Sequence, residues 1–301
     1  MDTQALMPNF GLELLDIDLS SPIDDACFGK ILDLYFEYSV LLFRGQDMSP
    51  GCQAALAHRF GRPKIETRKQ FNLKENPEVS TIGNAKDADG KDAAFFVQGG
   101  FGWHTDGTSA CHVDAATFLY AVEVPKKGGD TLLCSTSTAY ENIPQSLRDQ
   151  LSDLKMLCSF HAHNDPLLEK DRDSHIPLTE KERLALPPVW HDIVQVHPVT
   201  GRAVLYMNFD PIEFNSVSLN VGEQWLQEAL AIATEDKYVY RHRWIPGDLL
   251  IWDNHAMLHS GTPTACYERD KRLMHRSFVY TQPTERTLEN LDEVNEIFLP
   301  V

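Results

Sequence analysis

The feature that most constrains the fold of this chain is a succession of short apolar runs, none long enough to stand alone. Residues 39–45 (SVLLFRG), 115–125 (AATFLYAVEVP), 201–208 (GRAVLYMN), 247–254 (GDLLIWDN) and 272–280 (RLMHRSFVY) read as short buried strands. Residues 126–135 (KKGGDTLLCS) place a tight turn at Gly128-Gly129-Asp130 ahead of a further strand. Strands of this length persist only when neighbours pair with them and a second layer covers their apolar faces. They must therefore be gathered from across the chain into sheets.

Helical patterns fill the gaps. Residues 22–37 carry Phe28, Ile31, Leu32, Tyr35 and Phe36 at helical spacing. Residues 49–61 start with Ser49 as cap and Pro50 in the first turn, and stop at Gly61. Residues 143–154 place Leu147, Leu151 and Leu154 on one face, and residues 220–236 open with Asn220 and Glu223 as a cap pair. Residues 64–98 read as irregular, with 84–93 as an exposed loop. Residues 164–192 are charged and contain proline; a loop of that length suggests a lid or binding element. The acidic tail after Gln282 reads as a helical or extended surface piece. The expected fold class is mainly β with flanking helices (α+β): a two-sheet β-roll, read as a single domain over residues 1–301.

The balance of 27 basic against 44 acidic residues gives a net charge of −17. No basic stripe for nucleic acid is present, and an anionic membrane surface would repel the chain. No run approaches the roughly 18 apolar residues of a membrane span, and the acidic start of the chain lacks the features of a signal peptide. Cys27, Cys52, Cys111, Cys134, Cys158 and Cys266 are scattered, without CxxC spacing. A cytoplasmic protein with reduced thiols is the expectation.

Chemistry concentrates in three places. The first is residues 99–110, GGFGWHTDGTSA. On a strand, His104 and Asp106 would point to the same side. Alone, the pair also fits a polar network at a strand end. Gly99, Gly100, Gly102 and Gly107 would let the chain bend into and out of that segment and let a substrate approach. The second is residues 247–261, where an apolar strand delivers Trp252-Asp253-Asn254 and then His255 and His259. Two imidazoles and one carboxylate on one face of a metal form the facial triad of non-haem Fe(II) oxygenases, and His259 can supply the third ligand from far along the chain. His255 reads as a polar strand-end side chain, with a role as rival ligand left open. The third is Arg272 and Arg276, four residues apart on an otherwise apolar strand. Burying two guanidinium groups is costly unless an anion meets them. The alternative is one arginine paired to an internal acid and the other exposed.

Taken in order, the motifs are His104-x-Asp106, Gly128-Gly129-Asp130-Thr131, residues 197–202 (HPVTGR), Gly247-Asp248, Trp252-Asp253-Asn254, His259 and Arg272-x-x-x-Arg276. This ordered set resembles the TauD/TfdA family of Fe(II)- and 2-oxoglutarate-dependent dioxygenases; LLFRGQDMS (41–49) and FGRP (60–63) are also similar to that family. The resemblance spans roughly residues 10–280 and implies a double-stranded β-helix, a jelly-roll, cupin-like core. It implies Fe(II) on His104, Asp106 and His259, and 2-oxoglutarate held at its far carboxylate by Arg272 and Thr131. It places Arg276 at an anionic group of the primary substrate or in support of 2-oxoglutarate. The implied reaction consumes O2, releases succinate and CO2, and hydroxylates a C–H bond of a small anionic molecule. Desaturation or cyclisation would use the same residues. Halogenases related to this family lack the carboxylate, so Asp106 disfavours halogenation.

Two departures stand out. His255 follows Trp-Asp-Asn where the family often has arginine, and the glycines before His104 replace an asparagine of taurine dioxygenases. Phe95, Phe96, Gln98, Phe101 and Phe209 are candidate pocket walls. Readings of other classes are a zinc hydrolase on the same three ligands and a non-catalytic β-roll binding protein. A homo-oligomer is compatible with the sequence.

Overall fold

A computed structural model describes residues 1–95, 102–107, 116–170, 177–208, 210–264, 269–280 and 285–300. Most of the apolar runs enter two sheets, while the run 201–208 pairs with Val194–Val196 in a separate two-stranded sheet. The larger orders its strands as Asp2–Ala5, Leu12–Leu15, Val40–Phe43, Leu249–Asp253, Ala116–Glu123, Leu273–Tyr280, Asn76–Gly83 and Asn72–Leu73, with Arg62–Lys64 also paired to Leu273–Tyr280. The smaller orders Val239–His242, Thr131–Ser135 and Met257–Gly261. Most pairings join segments distant in the chain and are antiparallel, as in a jelly roll.

Strand alternation explains why the central runs are apolar throughout. Leu41, Phe43, Phe118, Tyr120, Leu249 and Ile251 face one way, against the helices Asp25–Tyr38 and Pro50–Phe60. Val40, Leu42, Leu119, Ala121, Leu250 and Trp252 face the other way and meet Leu133 and Met257 of the smaller sheet. Both faces are covered, so no polar alternation survives in the sequence. The outer face of the smaller sheet, with Cys134 and Leu258, packs on the helices Thr136–Asn142, Gln145–Leu151 and Leu219–Ala233. The space between the sheets is therefore the interior of the roll.

The first two helices form as expected. Asp24 and Ser49 accept the backbone N–H groups of Cys27 and Cys52. Elsewhere the structure corrects the sequence reading. Residues 64–98 are not simply irregular: they contain Asn72–Leu73 and Asn76–Gly83. The latter buries Ser80 and Thr81, and Thr81 satisfies its hydroxyl on the carbonyl of Ala93 at 2.8 Å, so the strand lacks an apolar signature. Residues 164–192 are not a long loop. They include most of the helix Phe160–Lys170, the helix Glu180–Leu184 with a Thr179/Glu182 capping box, and the strand Val189–Asp192. The helix Leu219–Ala233 follows Ser218, not Asn220, and no side chain caps it. The run 201–208 contributes only Ala203–Leu205 to a sheet. The tail forms the helix Glu285–Ile297. Among the described residues no helix is long and apolar enough to cross a membrane. Cys27, Cys52, Cys134 and Cys158 are free thiols; burial pushes Cys134 up to about 12 and Cys158 to about 11, so both are inert at neutral pH. Cys111 and Cys266 lie outside the described residues.

Candidate metal centre and cosubstrate site

His104 and His259 are brought together by their own backbones. Each donates its N–H to the other's carbonyl, at 3.0 and 2.9 Å, in an isolated antiparallel bridge. Residues paired this way project side chains to the same face, and the two imidazole centroids lie 4.1 Å apart. Asp106 does not reach them along a strand, as the spacing alone suggested. The chain turns after the bridge, Gly107 takes a φ of 84°, and Thr105 anchors the turn by donating to the Met257 carbonyl at 3.1 Å. Gly107 thus fills the bending role expected of it; Gly99 and Gly100 lie outside the described residues.

The donor atoms fit a cation. His104 Nε2 is 3.7 Å from Asp106 Oδ1, and His259 Nε2 is 3.6 Å from Asp106 Oδ2. One ligand atom from each of the three residues lies within 4.8 Å of the others. The Gly102 carbonyl, 2.8 Å from His104 Nδ1, can only accept, so Nδ1 carries a proton and Nε2 is the atom turned toward Asp106. Burial and the neighbouring His104 push His259 down to about 3, against the pull of Asp106, so the ring is neutral at physiological pH. Burial raises the Asp106 carboxyl, but His259, His104, Arg276 and a hydrogen bond from Thr117 outweigh it and hold the group below its ordinary range. Two imidazole nitrogens and a carboxylate facing one another are a divalent metal's ligand set.

A relay missed in the sequence orients the carboxylate. Trp252 Nε1 donates to Asn254 Oδ1 at 3.0 Å, Asn254 Nδ2 donates to Thr117 Oγ1 at 2.8 Å, and Thr117 donates to Asp106 Oδ2 at 2.8 Å. An indole N–H can only donate, so every step has one direction. The signal was a lone threonine within the apolar run 115–125.

Thr131 lies opposite Gly261 in the smaller sheet, on the face that carries His259. Its Oγ1 accepts the Trp244 indole N–H at 3.0 Å, which leaves the hydroxyl hydrogen free to be donated elsewhere. Arg272 is held close by. Asn84 Oδ1 accepts its backbone N–H at 2.7 Å, and its carbonyl comes within 1.8 Å of where a side chain on Gly83 would begin. Gly129, at φ +72°, leaves room beside the arginine: a Cβ there would sit 3.4 Å from Arg272 Cδ. Burial alone pulls the Arg272 guanidinium down to about 10, and among the described residues no carboxylate faces it.

Arg276 differs. Its Nη2 is bonded to Glu66, and both groups are largely buried. Burial raises the Glu66 carboxyl, but Arg276, Arg68 and Lys64 hold it below the usual range. Of the candidate pocket walls, Phe95 is buried under the Arg68 guanidinium; Phe96, Gln98, Phe101 and Phe209 lie outside the described residues.

His255 sits in a second cluster, with His197 and Asp253. His197 Nδ1 accepts the N–H groups of Val199 and Thr200 at 3.2 and 3.1 Å, so Nε2 carries the proton and donates to Asp253 Oδ2 at 2.8 Å. Asp253 Oδ1 accepts the His255 backbone N–H at 2.9 Å. These bonds brace the 197–202 turn against the Trp252–Asn254 segment.

The model of the taurine catabolism dioxygenase TauD, TfdA family matches residues 2–278. The chain belongs to the TauD/TfdA dioxygenase family. It is 34% identical over 265 residues to an alpha-ketoglutarate-dependent 2,4-dichlorophenoxyacetate dioxygenase of Cupriavidus pinatubonensis, covering 85% of this chain and 90% of that one. It is 26% identical to an alpha-ketoglutarate-dependent sulfonate dioxygenase of Saccharomyces cerevisiae, covering 98% of this chain and 70% of the relative. A taurine dioxygenase structure from Burkholderia xenovorans superimposes with a TM-score of 0.72 at 25% identity, over 92% of this chain and 90% of that one. The TauD/TfdA enzyme described here is thus a 2-oxoglutarate-dependent dioxygenase with a jelly-roll core, an oxidoreductase rather than a zinc hydrolase or an inert binding protein.

Proposed function

We propose that His104, Asp106 and His259 hold Fe(II), and that Arg272 with Thr131 holds the far carboxylate of 2-oxoglutarate. The observation that carries this is a three-residue cluster made by backbone pairing of His104 with His259, on the same interior face as Thr131 and near a buried arginine that no acid faces among the described residues. When bound, iron with its cosubstrate supplies the oxidising power that splits O2 and yields succinate and CO2. The chain's own residues position and shield. Asp106 is kept ionised and aimed by Thr117, and His104 is kept in the Nδ1–H form by Gly102. Arg272 offers a fork of donors to a carboxylate, and Thr131 adds one more.

The primary substrate in this reading is a small anion whose unactivated C–H bond is hydroxylated. The names of the relatives, a phenoxyacetate and a sulfonate dioxygenase, support that class. The main test is anaerobic: Fe(II) and 2-oxoglutarate added together should give the charge-transfer absorption of the chelate. Arg272→Ala should weaken it at fixed 2-oxoglutarate. Folded, iron-loaded protein without the band would overturn the reading.

A further inference from the structure

A chain of polar side chains leads inward from the first strands and ends beside Thr131. His242 is the residue directly opposite Thr131 across the smaller sheet. Paired residues share a face, and this face meets the interior of the roll, where Leu133 packs. His242 is 0% exposed. Its ring meets the Trp244 indole at a right angle, with centroids 4.3 Å apart. That indole is the group that donates its N–H to Thr131 Oγ1 at 3.0 Å.

The imidazole is held in turn. Tyr240, two residues back on the same strand face, places its Oη 3.2 Å from His242 Nδ1. Asp248 Oδ2 lies 3.2 Å from the other ring nitrogen, Nε2. Asp248 is almost wholly buried, and the same oxygen accepts the Ile245 N–H at 3.0 Å and Arg44 Nη1 at 2.9 Å. Arg44 also pairs with Glu13 at 3.3 Å. The Ile245 bond closes the turn that directly follows Trp244, so Asp248 fixes the indole's backbone as well as the imidazole. Burying a polar ring is costly unless its contacts do something an apolar residue could not. A brace between the 40–44 segment and the 245–248 turn needs only Arg44 and Asp248, which already meet. His242 adds little to it, because Nε2 lacks hydrogen-bond geometry toward Asp248 and has no other acceptor among the described residues. What the ring meets squarely is the indole.

We propose that His242 is a positioning residue for 2-oxoglutarate, acting through Trp244 on Thr131. This rests on the assignment of Thr131 and Arg272 to the far carboxylate. A threonine hydroxyl can rotate, and its hydrogen follows whichever acceptor is nearest. The indole N–H occupies one lone pair of Oγ1 and turns the hydroxyl hydrogen away from itself, toward the cosubstrate. His242 keeps the indole at the angle this requires, and Asp248 with Tyr240 keeps the imidazole in place. Without the ring the indole can tilt, and the hydroxyl loses its direction. His242 therefore acts on the binding of the far carboxylate and not on the keto-acid end.

The test is an anaerobic titration of the Fe(II)-loaded protein with two keto acids, read by the charge-transfer absorption of the chelate. One is 2-oxoglutarate; the other is 2-oxopentanoate, which has the same keto-acid end and no far carboxylate. His242→Leu removes the flat ring, and His242→Gln removes it while keeping a donor toward Asp248, so that one variant remains if the other does not fold. Each should weaken 2-oxoglutarate about threefold to tenfold, the effect of one neutral hydrogen bond. Each should leave 2-oxopentanoate within about twofold of wild type. In a Trp244→Phe background, His242→Leu should cause no further loss, because both changes act through the same bond. Wild-type affinity for 2-oxoglutarate in the His242 variants, an equal loss for both keto acids, or additive losses in the double variant would overturn the proposal. The cosubstrate reading would then stand. Thr131→Ala with wild-type affinity for 2-oxoglutarate would overturn that reading, and the proposal with it.

Discussion

Replacing Thr117 with valine removes one oxygen atom from the interior of the roll and leaves its shape almost unchanged. That oxygen donates to Asp106 at 2.8 Å and accepts from Asn254 at 2.8 Å, and neither Thr117 nor Asn254 has any exposed surface. A hydrogen bond to a charged acceptor is worth about 1.5–3 kcal/mol, and a buried amide donor left unmet costs about 1–3 kcal/mol. Relaxation recovers part of this, so the metal-free protein should lose about 2–4 kcal/mol. Iron affinity should fall about 10–100-fold, the usual effect of losing the partner that orients a ligand. Thr117→Ser keeps the hydroxyl and should bind iron nearly as wild type does. Trp252→Phe cuts the relay at its far end and should cost only a few-fold. Anaerobic chelator competition gives the iron affinities, and urea unfolding of the metal-free proteins gives the stabilities. If Thr117→Val binds iron within twofold of wild type, the relay is a packing feature and does not tune the centre.

Gly83→Ala would place a methyl group 1.8 Å from the Arg272 carbonyl at a φ of 145°. It should destabilise the fold by more than about 3 kcal/mol and raise the KM for 2-oxoglutarate, read from thermal melts and succinate formation; an unchanged KM would mean that this contact does not seat Arg272. Trp244→Phe frees the Thr131 hydroxyl to rotate and should raise the KM for 2-oxoglutarate about threefold to tenfold, given the roughly 0.5–1.5 kcal/mol of one neutral hydrogen bond; an effect on kcat alone would refute the positioning role. The pH dependence of metal-free protein follows from His259. Its folded pKa of about 3 lies below its ordinary 6.5, so between those values the unfolded chain binds more protons and stability falls as pH drops. Urea midpoints should decline from pH 6.5 downward, and His259→Gln should flatten the decline; an equal slope in both would refute this source.

Local pattern and residue chemistry were enough to see much of this enzyme. Short runs apolar on both faces required covered sheets, and Ser49-Pro50 announced a helix start. His104-x-Asp106, His259 and Arg272 stood in the order and chemistry of the TauD/TfdA family. The strand Asn76–Gly83 and the helices within 160–184 escaped, because their buried positions hold Thr81, Asn164 and Glu182, whose polar groups meet partners or cavities that periodicity does not register. The identity of each candidate ligand is thus a property of the chain. Their convergence is a property of pairing: His104 and His259 meet through two backbone hydrogen bonds across the roll, and Asp106 joins them through a turn. Tertiary structure alone decided that Arg276 is paired with Glu66, because a charge is free or neutralised according to what folding sets beside it.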